Sequence, residues 1–210
     1  MKASASTREW TAKFLLLSAV VVLLLLGAGY AILRVCFPAY IMSSGAMEPT
    51  LVRGDIVLVN RLGGFLGRSP HRGELATYHQ PLDRKEVFLH RIVGVPGDRL
   101  KIRDRKLYRN GAEVKEPYIQ HISTAADSYR DNIPSAPNFP VSKPALDMLE
   151  HHVVNGEIVV PAGHYFVMGD NRNAAFDSRY TGFIPAGDLV GCPFMILQST
   201  DPRRNGKRIQ

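Results

Sequence analysis

The chain has 210 residues, 45% of them hydrophobic, and carries 26 Lys and Arg against 19 Asp and Glu, for a formal charge of +7. That length suffices for one compact domain with a real core and requires no second. Two cysteines, Cys36 and Cys192, exclude a disulfide-dense scaffold and a zinc site built on paired cysteine spacing, and leave open a single bridge between them.

Residues 1–13 hold Lys2, Arg8 and Lys13 against Glu9, and are followed from Phe14 to Leu33 by an apolar run without a charge. A helix over 14–33 is long enough to cross the hydrocarbon layer. Beyond it the positive residues thin to Arg34 and Arg53, so the charge bias predicts residues 1–13 in the cytoplasm and residues 34–210 outside. A cleaved leader is the alternative, since Gly27, Ala28, Gly29 and Ala31 are small. The run exceeds the usual leader core, which favours a retained anchor.

After the run the pattern changes to short valine-, isoleucine- and tyrosine-rich stretches between glycines and prolines. Strands are predicted at Asp55–Asn60, Glu74–Tyr78, Val87–Val95 and Arg99–Arg103. Asn110-Gly111 and Asn155-Gly156 each predict a tight antiparallel hairpin. Across 120–153 the periodicity fails around Pro134, Pro137, Pro140 and Pro144, which reads as an irregular, mobile insertion beside the core, with a short helix over 145–152. With no internal repeat and no long helix after the apolar run, the expected class is mainly β, an antiparallel sheet domain behind one N-terminal transmembrane helix. The basic residues, including Arg203, Arg204, Lys207 and Arg208 near the end, suit an acidic partner. For a membrane-anchored chain the lipid bilayer is the nearer one, and nucleic acid is not expected.

The segment Ser43-Ser44-Gly45-Ala46-Met47-Glu48-Pro49-Thr50-Leu51 follows the apolar run closely. It resembles the box S-G-S-M-x-P-T-L of type I signal peptidases (leader peptidases, serine peptidase family S26), with alanine at the second serine. Arg72-Gly73-Glu74, closed by Pro81, is similar to the family's R-G-D entry to a strand. His90-Arg91-Ile92-Val93-Gly94-Val95-Pro96-Gly97-Asp98 resembles K-R-V-I-G-L-P-G-D. The run from Pro161 to Arg172 is similar to P-x-G-x-Y-F-x-M-G-D-N-R, continued by Asp177-Ser178-Arg179 and Gly182. The shared order of these boxes implies a signal-peptidase-type β domain and, as partners, exported precursor proteins or their signal peptides at the cell (inner) membrane.

The family's chemistry, by the same resemblance, uses a serine oxygen as nucleophile and a neutral lysine amine as general base. The nucleophile position here is Ala46, whose methyl group has no lone pair with which to attack a carbonyl. The base position is His90, an imidazole able to accept a proton near neutrality. Ser44 falls at the position assigned to the oxyanion hydrogen bond, and Ala175 at that of the serine supporting the base. Lys85 lies an odd number of residues from His90 on one strand and so points to the other face. Asp170, Arg172, Asp177 and Arg179 carry charges for carboxylate–guanidinium pairs that brace the site. His71, His79, His121, His151, His152 and His164 form no helical ligand pair with an acidic partner, so neither metal nor cofactor is expected. The expected function is a non-catalytic signal-peptidase-like protein that binds exported precursors. An active endopeptidase using Ser44 or Ser43 with His90 is the alternative.

Overall fold

The computed structural model describes residues 3–209; Lys2, one of the charges in the orientation argument, lies outside them. Two compact units divide after Pro38. The first is helix α1 (Ala3–Cys36). Its stretch Glu9–Cys36, 28 residues containing an 18-residue window of mean hydropathy 2.6, is long and apolar enough to cross a membrane, at roughly 1.5 Å of rise per residue. The expected run 14–33 therefore sits inside a longer helix. Arg34 lies in the last turn, where a cation suits the helix dipole, and Pro38 cannot extend the hydrogen-bond ladder.

The second unit is mainly antiparallel β. In chain order it contains β1 (Ala39–Ile41), β2 (Ile56–Asn60), a single helical turn α2 (Leu62–Phe65), β3 (Leu75–Gln80), β4 (Asp83–Gly94), β5 (Arg99–Arg103), β6 (Lys106–Arg109) and β7 (Ala112–Glu113). Helix α3 (Lys143–His151) follows, then β8 (Val153–Val154), β9 (Glu157–Val159), β10 (His164–Met168), α4 (Ser178–Thr181), β11 (Ile184–Pro185) and β12 (Leu189–Gln198). A seven-stranded sheet runs β1-β2-β12-β3-β4-β10-β11, and a five-stranded sheet runs β7-β6-β5-β9-β8. Both predicted hairpins form: Asn110 and Gly111 turn β6 into β7, and Asn155 and Gly156 turn β8 into β9. All four residues have positive φ, between 53° and 82°, the conformation an Asn-Gly pair adopts at least cost.

Alternation on β3 and β4 decides which side chains meet. The register pairs Leu75 with Arg91, Ala76 with His90, Thr77 with Leu89 and Tyr78 with Phe88. Ala76, Tyr78, Phe88 and His90 therefore share one face, and Leu75, Leu89 and Arg91 the other. Ala76 and Tyr78 join Ile92, Tyr165, Val167 and Ile184 in one buried cluster. Leu75 and Leu89 join Met47, Leu51, Val57 and Val59 in a second. A third, with Val93, Leu100, Leu107, Ile158, Phe166 and Met168, joins the two sheets.

The stretch 120–153 departs from expectation. It has little regular structure before α3, yet Tyr129, Ile133 and Met148 lie inside the cluster between the sheets, and Ile133 bridges Ile102 of β5. It is part of the core rather than a loop beside it. The helix expected over 145–152 begins at Lys143 instead, because the Ser142 side chain accepts from the Ala145 amide at 3.2 Å and Pro144 suits a first helical turn. Cys36 and Cys192 are both free thiols.

Candidate functional site

Ala46 lies in a turn between β1 and β2. The turn is closed by Met42, which accepts from Gly54 and donates to Asp55, each at 2.8 Å, and by the Leu51 amide donating to Met47 at 2.9 Å. Met47 and Leu51 are fully buried and pin the turn against Leu75 and Leu89. From the far end of the sequence, Arg204 donates to the Thr50 carbonyl at 2.9 Å and to the Asp55 carboxylate at 2.7 Å. Ser43 and Ser44 are exposed and Ala46 is buried. The Ser44 Oγ stands 3.5 Å from the Ala46 amide, at the outer limit of a hydrogen bond.

Gly169, just after β10, is where the segments of Ala46 and Ala175 converge. A Cβ placed there would lie 2.3 Å from the Ala175 methyl and 2.6 Å from the Ala46 carbonyl oxygen, so only glycine lets the three chain segments approach this closely. The β4–β10 register pairs Met168 with Arg91, the residue after His90. The Asn171 amide donates to the Ala46 carbonyl at 3.0 Å and its side-chain Nδ2 to the Gly45 carbonyl at 3.1 Å. Ala46 and Ala175 thus meet at one glycine, while His90 lies on β4 next to Arg91, the partner of Met168.

The His90 ring is turned by alternation toward the face of Tyr78 and Phe88, whereas Met47 and Leu51 occupy the opposite face. It is 2% exposed, and its Nδ1 lies 2.8 Å from the Tyr78 hydroxyl. Burial drives its pKa down to about 4, and Arg179 adds to the fall against the pull of Asp177 and Asp170, so the ring is neutral at pH 7. Burial likewise pushes the Tyr78 phenol well up, with Asp177 adding to the rise. Lys85 is exposed near the start of β4, away from the buried ring of His90.

The four bracing charges are buried; two of them pair with each other and the other two find partners outside the four. Asp177 and Arg179 pair with each other at 2.8 Å, and Asp177 also accepts from the Gly169 amide at 2.9 Å. Burial alone would raise the Asp177 carboxyl, but the guanidinium of Arg179 holds it below its ordinary value. Asp170 pairs with Arg91 at 2.7 Å rather than with Arg172, and also accepts from the Thr50 hydroxyl. Arg172 instead reaches Glu116 at 2.6 Å. Arg91 further donates to the Gly73 carbonyl at 2.6 Å and sits 3.9 Å from the centre of the Tyr118 ring. Arg91, Glu116, Tyr78 and Tyr118 are the residues the sequence reading did not place at this site. Arg91 alone carried a signal, lying next to His90 inside a recognised box. Among the described residues, no group of three or more His, Cys, Asp or Glu side chains gathers as a metal site.

The family model described as "Signal peptidase, peptidase S26" matches residues 11–197. Signal peptidase I of Bacillus caldolyticus is 32% identical over 162 residues, covering 74% of this chain and 76% of that protein. Signal peptidase I V of Bacillus subtilis strain 168 is 34% identical over 156 residues, covering 74% and 82%. A crystal structure of a signal peptidase I from Enterococcus faecalis matches with a TM-score of 0.45 at 28% identity, over 60% of this chain and 97% of that one. The family model and relatives above 30% identity put this chain among peptidases. The chain belongs to the signal peptidases of family S26.

Proposed function

We propose that this chain is a non-catalytic signal peptidase homologue that holds extended peptide segments of exported precursors. In this reading α1 anchors it in the inner membrane, with residues 1–13 in the cytoplasm and the β unit across the membrane. The observation that carries the reading is Ala46 itself. The turn is braced by Asn171, Arg204, Met47 and Leu51, yet it carries a methyl group where acyl transfer needs an oxygen. Strand β1 leads directly into that turn and ends the sheet order, and an edge strand can take up a peptide through main-chain hydrogen bonds. Ser44 and Ser43 precede Ala46 by two and three positions, and a nucleophile so displaced is several ångströms from productive geometry, where about 1 Å already costs heavily.

Binding of fluorescent precursor peptides with a small-x-small motif to the detergent-solubilised full chain tests the proposal. Saturable binding is expected, and no measurable affinity for any of several such peptides would sink it. Incubation with a preprotein tests the peptidase alternative. No cleavage is expected, and cleavage that disappears in Ser44→Ala would replace the non-catalytic reading with an active one.

A further inference from the structure

The Tyr78 hydroxyl and His90 Nδ1 are 2.8 Å apart, between residues only 1% and 2% exposed. Phe88 stands edge-on to the imidazole, with centroids 6.0 Å apart and planes at 82°, and packs on Tyr78 at 6.3 Å. The ring is therefore packed against both aromatic side chains, with its centroid 5.9 Å from that of Tyr78, as well as hydrogen-bonded. The bond has two chemical forms. Either the phenol donates to an unprotonated Nδ1, or a protonated Nδ1 donates to the phenol oxygen. Among the described residues, His90 Nδ1 is the hydrogen-bond partner of the Tyr78 hydroxyl. In the second form the phenol proton faces no described acceptor inside the protein, which forfeits its hydration without replacement. In the first form one bond satisfies the phenol proton and the Nδ1 lone pair together, and a phenol is a better donor than acceptor.

We propose that Tyr78 is a positioning residue that caps the Nδ1 lone pair of His90 and holds the ring in the tautomer protonated at Nε2. A neutral imidazole has a single basic nitrogen, and here that nitrogen is occupied. The base position is thus closed independently of the missing serine oxygen. This inference goes beyond the peptide-holding reading and does not depend on whether a peptide binds.

Long-range proton–nitrogen NMR of the full chain in detergent, with labelled histidine, reads the tautomer, and the loss of one signal set in His90→Gln assigns the ring. The expected wild-type spectrum at pH 7 shows Nε2 protonated and Nδ1 at the unprotonated end of the nitrogen scale. In Tyr78→Phe, which removes one oxygen and keeps the ring, the Nδ1 resonance is expected to move toward the protonated end. A wild-type ring protonated at Nδ1, or a tautomer unchanged by Tyr78→Phe, overturns the assignment. A hydrolysis assay adds a second readout that needs no Tyr78 variant. Ala46→Ser alone is expected to remain as inactive on a preprotein as the unaltered chain. Cleavage by Ala46→Ser that is lost in Ala46→Ser/His90→Gln would show the base to be available and the cap absent.

Discussion

Asp170→Ala removes one charge from a pair almost wholly withdrawn from water, the two side chains being 1% and 4% exposed. Asp170 accepts from Arg91 Nε at 2.9 Å and Nη2 at 2.7 Å, and from the Thr50 hydroxyl. Its loss strands a buried guanidinium, for which the expected cost is about 3–5 kcal/mol. Arg91 keeps the Gly73 carbonyl at 2.6 Å and the Tyr118 ring at 3.9 Å, which pulls the expected value toward the lower end of that range. The double variant Asp170→Ala/Arg91→Met removes both charges, so it should cost less than the sum of the single variants by roughly 2 kcal/mol or more. Urea titration of the solubilised chain, followed by the near-ultraviolet circular dichroism of its tyrosines, measures all three. A single-variant loss under about 1 kcal/mol, or strict additivity, would refute the argument that this pair is desolvated and mutually dependent.

Acid should destabilise the fold through His90. Its folded pKa of about 4 lies below the ordinary 6.5, so the unfolded chain binds the extra proton between these values. The contribution is complete above pH 6.5 and is lost as the pH falls toward 4, amounting to roughly 3 kcal/mol. Urea midpoints measured from pH 7 to pH 4.5 should fall, and His90→Gln should flatten that slope. Gly169→Ala places a methyl 2.3 Å from the Ala175 Cβ and 2.6 Å from the Ala46 carbonyl. A loss of about 2–3 kcal/mol is expected, together with faster hydrogen exchange at the Asn171 amide, which bonds to that carbonyl.

How much of this was legible in the sequence depended on distance along the chain. The apolar helix and the Asn-Gly hairpins are local: each is decided by neighbours within a few residues, so periodicity and turn chemistry sufficed. The shared order of the motif boxes pointed to the segments of Ala46 and Ala175, which approach each other at Gly169. The partner of each buried charge was not legible. Asp170 and Arg172 are two residues apart in sequence, but the β4–β10 register delivers Arg91 to Asp170, and Glu116 claims Arg172. Tyr78 escaped notice for the same reason, since only the β3–β4 pairing brings it to His90. The stretch 120–153 failed differently. Its prolines suppress regular periodicity, yet widely spaced Tyr129, Ile133 and Met148 still reach the core, and no sequence window shows three anchors so far apart acting together.

The place of β12 in the sheet bears on when the structure can come into being. This strand lies between β2 and β3, so the hairpin of β1 and β2 and the ribbon of β3 and β4 are made early and joined late. Arg204, later still, ties the turn after β1 through Thr50 and Asp55. During synthesis the segment bearing Ala46 can pack on Leu75 and Leu89 early, but it lacks its ties to Arg204 until residue 204 has left the ribosome. The price of such long-range closure is slow completion, with the β2 and β3 edges that β12 will fill left open as the chain grows.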